Sequence, residues 1–209
     1  MAPSASPEKE TKKIRRICVY CGSSYGSRKE YRAAARELGI YLVENQIGLV
    51  FGGGRVGLMG ETASIVKEKG GEVIGVIPAQ LAKKDVAFTE LDDLRIVETM
   101  HERKALMADL SDGFIAMPGG FGTIEEIFEA LTWSQLGIHQ KPCGFLNICG
   151  YFDGINSFLH LAVQEQFIFS AHRNMALIAD TPEVLIAQMQ NWKPPVVDKA
   201  KWALSQMNQ

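Results

Sequence analysis

The stretch Asp112-Gly-Phe-Ile-Ala-Met-Pro-Gly-Gly-Phe-Gly-Thr-Ile-Glu-Glu126 decides the fold. Its first six residues form a mostly apolar run that reads as a buried strand, and Pro118 to Glu126 read as a glycine-rich turn entering an amphipathic helix. Gly119, Gly120 and Gly122 let backbone N–H groups approach a ligand without Cβ obstruction. The helix start adds unpaired N–H groups and the positive end of its dipole, so a phosphate is the natural guest. A loop that follows a strand in this way lies at the carboxyl end of a sheet, where open α/β sheets bind ligands.

Working outward, the same strand–loop–helix unit recurs. Ile14 to Tyr20 reads as a strand, Cys21-Gly-Ser-Ser24 as its exit loop, and Lys29 to Asn45 as a helix. Ile47 to Phe51 is a second strand, Gly52 to Gly57 a glycine loop, Leu58 to Lys69 a helix and Glu72 to Ile77 a third strand. Pro78 to Asp93 reads as a long surface loop or a short helical piece. Strand Leu94 to Val97, helix Met100 to Leu110, strand Gly113 to Met117 and helix Thr123 to Leu136 follow. Strand Cys143 to Ile148, helix Phe152 to Gln166, strand Ala176 to Ala179 and a terminal helix opened by Pro182 complete the pattern. Strands alternating with helices imply right-handed βαβ crossovers, hence a single-domain, Rossmann-like, doubly wound parallel sheet flanked by helices.

The chain has 209 residues, of which 46% are hydrophobic and 22% charged, which suits one ordinary globular core. The expected organisation is a disordered tail over residues 1–13, a nucleotide-binding domain over 14–192 and a C-terminal extension over 193–209. A net charge of −2 without basic blocks argues against a nucleic-acid or membrane surface, so phosphate binding must be local. The tail lacks the apolar segment of a secretion signal, and no apolar run has transmembrane length, so a cytoplasmic protein is expected. Cys18 and Cys21 form a lone CxxC without a second pair at zinc spacing, and Cys143 and Cys149 lie in or beside an apolar strand pattern. All four read as reduced core cysteines, and the scattered histidines suggest no metal site.

Gly52-Gly-Gly-Arg-Val-Gly57 formally matches the dinucleotide fingerprint, but the acidic residue expected after the next strand is missing, since that strand runs into Pro78. A loop serving a nucleotide base or ribose edge is the better reading. Neither glycine loop is followed by a Walker lysine, which argues against ATP hydrolysis. Thr123 and Glu126 have capping-box spacing, so Glu126 either reaches back to cap the helix or serves the site. In Met100-His-Glu-Arg-Lys-Ala-Leu-Met107, helical spacing places Arg103 on one face with Met100, Met107 and Leu110. That guanidinium either snorkels to solvent or demands an anion, for which a phosphate or Glu126 would serve.

These motifs, with Leu131-Thr-Trp-Ser-Gln-Leu-Gly-Ile-His-Gln-Lys-Pro142 and Gly150-Tyr-Phe-Asp153, resemble the LONELY GUY family over about Ile14 to Trp192. Its members are cytokinin riboside 5′-monophosphate phosphoribohydrolases, long mislabelled as lysine decarboxylases. Nothing in the chain marks a pyridoxal-phosphate lysine with its pyridinium partner, so the older label lacks chemistry here. The resemblance implies hydrolysis of the N-glycosidic bond of an N6-modified adenosine monophosphate, without a cofactor. It places the 5′-phosphate on Gly119, Gly120, Phe121, Gly122 and Thr123, and catalysis on Arg103 and Glu126. It adds Lys104, Ile124, Glu125, Gly22, Ser23, Gly53, Gly54 and Met59 to the substrate site. Asp85 stands where plant members often carry glutamate. Thr132 either reaches the substrate or bonds a local carbonyl. The resemblance also implies a homodimer, with Phe128, Leu131, Trp133 and Leu136 fitting an interface or a core equally well. Two other readings share the phosphate loop: a general AMP nucleosidase, and a non-catalytic nucleotide or molybdenum-cofactor carrier.

Overall fold

The strands are β1 (Arg16–Tyr20), β2 (Gly48–Phe51), β3 (Val73–Pro78), β4 (Asp93–Val97), β5 (Gly113–Ala116), β6 (Cys143–Leu146) and β7 (Ala176–Ala179). Between and after them run helices α1 (Lys29–Glu44), α2 (Gly57–Glu68), α3 (Ala79–Ala82), α4 (Met100–Leu110), α5 (Phe121–Gln135), α6 (Asp153–Gln164), α7 (Ser170–Arg173) and α8 (Pro182–Asn191). The structure, a computed structural model, describes residues 13–84 and 86–195. Residues 1–12 of the expected tail, 196–209 of the expected extension, and Asp85 lie outside the described residues.

All seven strands pair parallel in the order β4-β3-β2-β1-β5-β6-β7. The chain winds one way from β1 to β4, then returns to lay β5 beside β1 and winds the other way. The switch point therefore falls between β1 and β5, where Tyr20 is in register with Ala116. That register brings the two exit loops together at the carboxyl ends, the crevice in which such sheets bind ligands.

Burial follows the period of two. Ile17 and Val19 of β1 join Leu38, Leu42, Leu58 and Leu185 in a core under α1, α2 and α8. Cys18 and Tyr20 face the other way, toward Met107, Ile127, Phe145 and Leu159 under α4, α5 and α6. The result is helices on both faces of the sheet, the doubly wound architecture expected from the alternating pattern.

Three departures bear on the site. Helix α5 begins at Phe121, two residues before Thr123, with Gly120 as its N-cap and no side-chain cap. Thr123 therefore lies inside the helix, and the Thr123–Glu126 capping box does not form. The glycine turn closes earlier than the hydrophobic pattern suggests, because Gly120 needs no side-chain acceptor to enter the helix. A capping box does form at α4, where Thr99 accepts from the Glu102 N–H and Glu102 accepts from the Thr99 N–H. The segment 78–93 contains α3 and a bridge pairing Ala87 with Gly54, which folds this connection over the β2 exit loop. Cys149, expected in the core with the other three cysteines, is exposed instead, with φ of 54° in the 3-10 turn Ile148–Gly150.

Candidate active site

Three exit loops meet at the switch point. The Gly22 N–H donates to the Pro118 carbonyl at 3.0 Å, and the Gly22 carbonyl accepts from the Leu58 N–H at 3.0 Å. Gly22 thus ties the loop after β5 to the start of α2. A Cβ on Gly57, whose φ is +63°, would overlap the Ser23 backbone, so glycine is the residue that lets α2 dock this closely.

The loops wall a cleft of about 600 Å³. One wing is polar and rich in backbone, formed by Gly22, Ser23, Gly120, Phe121, Gly122 and Thr123. The other is apolar, with Met59, Ile77, Leu81, Val86 and Met100. Arg103 and Glu126 also line the cleft. The first turn of α5 directs its free N–H groups at the polar wing.

Arg103 and Glu126 are both buried and make an ion pair at 2.7 Å between Nη1 and Oε1. Arg103 Nε also donates to the Val76 carbonyl at 3.1 Å, which anchors the guanidinium to β3. A Cβ at Gly52 would overlap Arg103 Nη2, so the guanidinium lies directly against the end of β2. Of the two readings open for Arg103, the structure selects the anion-paired one. Burial pushes the Glu126 carboxyl above the usual glutamate value, against the opposing pull of Arg103. The pair is thus largely buried where it borders the cleft, with one carboxylate oxygen engaged by the arginine.

Other expected residues fall around this centre. Gly22, Ser23, Gly54, Met59 and Glu125 line the cleft. Gly53, with φ of +72°, lies behind it, its carbonyl accepting from the Phe88 N–H at 2.9 Å. Lys104 is buried and pairs with Glu125 at 2.5 Å and Glu129 at 3.0 Å without lining the cleft. Burial pulls its ammonium down, but the hydrogen bonds to the two carboxylates outweigh that and raise it. Gly119 and Ile124 support the loop, Ile124 packing on the core beneath α5. The Thr132 hydroxyl donates to the Phe128 carbonyl at 2.7 Å, the local bond of its two open readings, and it borders a separate hollow with His172 and Arg173.

Sequence reasoning missed Gly52, the Val76 carbonyl and the wall of Leu81, Val86 and Met100. Gly52 carried a signal in its place at a strand exit. The Val76 carbonyl, being backbone, carried none. A larger hollow, about 650 Å³, opens near Glu30, Glu37 and Asp153, without any comparable meeting of loop N–H groups with a buried ion pair.

The sequence model of a family described as "Possible lysine decarboxylase" matches residues 59–189. The rice (Oryza sativa subsp. japonica) protein named cytokinin riboside 5′-monophosphate phosphoribohydrolase LOG is 48% identical over 182 residues, covering 87% of this chain and 75% of its own. Its Arabidopsis thaliana counterpart LOG1 is 44% identical over 198 residues, with 93% of each chain covered. The chain belongs to the LONELY GUY family. The family's fold extends to the molybdenum cofactor binding protein of Rippkaea orientalis, 24% identical with a TM-score of 0.63, covering 86% of this chain and 98% of that one. The molybdenum cofactor carrier protein of Chlamydomonas reinhardtii matches with the same TM-score and coverage at 22% identity. At such identity these two likenesses concern the fold alone. The LONELY GUY chain carries its buried Arg103–Glu126 pair on that shared scaffold.

Proposed function

We propose that this protein is a cytokinin riboside 5′-monophosphate phosphoribohydrolase, releasing the free N6-modified adenine and ribose 5-phosphate. The observation that carries this reading is the buried Arg103–Glu126 pair beside a helix-terminus phosphate cradle in one cleft. The names of the rice and Arabidopsis relatives support it.

In this reading the N–H groups of Gly120 to Thr123 hold the 5′-phosphate. The ribose then lies over Glu126, and the base with its N6 substituent extends along the apolar wing. The bond between C1′ and the base nitrogen breaks through an oxocarbenium-like state, and the Glu126 carboxylate stabilises the positive charge. Water adds to C1′ as Glu126 takes its proton, the base leaves with the bonding electron pair, and the proton held by Glu126 passes on to the base directly or through solvent. Arg103 orients Glu126 and favours its ionised form through their 2.7 Å ion pair; a guanidinium offers donors but no readily released proton. Lys104 offsets the charge of Glu125 and Glu129 beside the loop.

The protein also reads as a cytoplasmic homodimer. Among the described residues, no helix is long and apolar enough to cross a membrane. The dimer is supported by apolar surface near α5 and α6: Phe121 is 97% exposed and Phe167 82%, with Leu136, Ile138, Phe158 and Leu161 also exposed. The deciding experiment incubates the protein with isopentenyladenosine monophosphate, with AMP and with the unphosphorylated riboside, and separates the released base by chromatography. Release from the N6-modified monophosphate well above the other two is expected. Equal cleavage of the riboside would remove the phosphate-cradle assignment, and equal cleavage of AMP would favour a general nucleosidase.

A further inference from the structure

The turn after β6 aims a tyrosine at the phosphate loop from outside the cleft. Cys149 and Gly150 follow one another in left-handed conformation, with φ of 54° and 70°. Asn147 braces the turn: its Oδ1 accepts from the Phe152 N–H at 2.7 Å, and its Nδ2 donates to Asp153 Oδ1 at 2.9 Å. Tyr151 leaves this turn edge-on between Tyr31, at 5.7 Å between ring centroids, and Phe152, at 5.1 Å. Its hydroxyl donates to the Gly119 carbonyl at 2.5 Å.

A trans peptide points its N–H opposite to its C=O, and no peptide among the described residues is cis. Holding the Gly119 carbonyl toward Tyr151 therefore turns the Gly120 N–H away from it. Gly120 lines the cleft and Tyr151 does not. The other side of Gly119 is closed, since a Cβ there would overlap Thr123 Oγ1 and come within 2.8 Å of the Gly22 nitrogen. Without the tyrosine hydroxyl, the wide φ/ψ range of two successive glycines leaves the orientation of this peptide less constrained.

We propose that Tyr151 is a positioning residue that fixes the Gly119–Gly120 peptide so that the Gly120 N–H faces the substrate's 5′-phosphate. This rests on the nucleotide reading above. The phosphate is held alike in the ground state and the transition state, so losing the hydroxyl weakens binding without slowing the chemical step. The Tyr151→Phe variant keeps the ring contacts and removes only the hydrogen bond. Its KM for isopentenyladenosine monophosphate is expected to rise about three- to tenfold, with kcat within about twofold of the parent. The dissociation constant of ribose 5-phosphate, measured by calorimetry, should rise by the same factor. A lowered melting temperature or lowered kcat with KM and ribose 5-phosphate affinity unchanged would assign Tyr151 a structural role and overturn the proposal. If the parent protein bound ribose 5-phosphate but released no base, the enzymatic reading would fall while the calorimetric comparison still decided Tyr151. A parent that bound neither ligand would remove both.

Discussion

At the residue scale, the proposed reaction turns on the charge state of Glu126. Burial raises its pKa above the ordinary value of 4.5, and Arg103 at 2.7 Å keeps it from rising further. The ionised carboxylate is the form that stabilises an oxocarbenium ion, so kcat should climb with pH through a midpoint above 4.5. The dependence is best read on kcat, because kcat/KM also reports the second ionisation of the free substrate's phosphate near about 6. A midpoint at or below 4.5 would contradict the buried, charge-poised carboxylate. Glu126→Gln keeps the shape but loses the charge, and should lower kcat by about 10²- to 10⁴-fold while ribose 5-phosphate still binds. Retained turnover in single-turnover assays would remove Glu126 from the chemistry.

At the element scale, the site depends on how closely loops and helices approach. Gly52 follows β2 where the Arg103 guanidinium lies, so Gly52→Ala should push Arg103 off Glu126. A displacement of about an ångström in a catalytic pair can cost on the order of 100-fold, so kcat should fall to that extent with circular dichroism unchanged. Helices α1 and α2 are joined by Glu61, 7% exposed, which accepts from Arg32 at 2.9 Å and from Arg36 at 2.6 Å. Burial pushes the Glu61 carboxyl up, but the hydrogen bonds from Arg36 and Arg32 together outweigh it and lower its pKa. A lowered pKa stabilises the fold above the unfolded value and loses that contribution as pH falls through the folded one. Glu61→Gln should therefore cost on the order of 1 kcal/mol near neutral pH, because solvent screens the half-exposed arginines. In thermal melts, the gap from the parent should close as the pH falls below the ordinary glutamate value of 4.5 and through the lowered folded one. A gap that does not vary with pH would mean that packing, rather than charge, joins the helices.

At the scale of the whole molecule, the exposed apolar surface about α5 and α6 predicts self-association. Light scattering at assay concentrations should give twice the chain mass, and an active monomer would sink the homodimer. Legibility from sequence also divides at this scale. The strand–helix alternation and the glycine loop were readable because period-two and period-3.6 patterns and glycine's conformational freedom act over a few neighbouring residues. Helix α4, Met100 to Leu110, matches its expected bounds because Thr99 and Glu102 cap it locally. The start of α5 was misplaced because a threonine followed three residues later by glutamate is the same local signal whether it caps a helix or lies inside one. For the same reason, the sequence left Glu126 open between cap and catalyst.

Strand–helix alternation and a glycine turn at a helix start are legible in the sequence, since both follow from contacts between near neighbours in the chain. Only the tertiary structure decided that Arg103 meets Glu126 across 23 residues, that Gly52 makes room for the guanidinium, and that Tyr151 reaches Gly119 across 32. Those pairings depend on which strand lies beside which. Laying β5 next to β1 sets the switch point and brings into one crevice side chains that no local pattern connects.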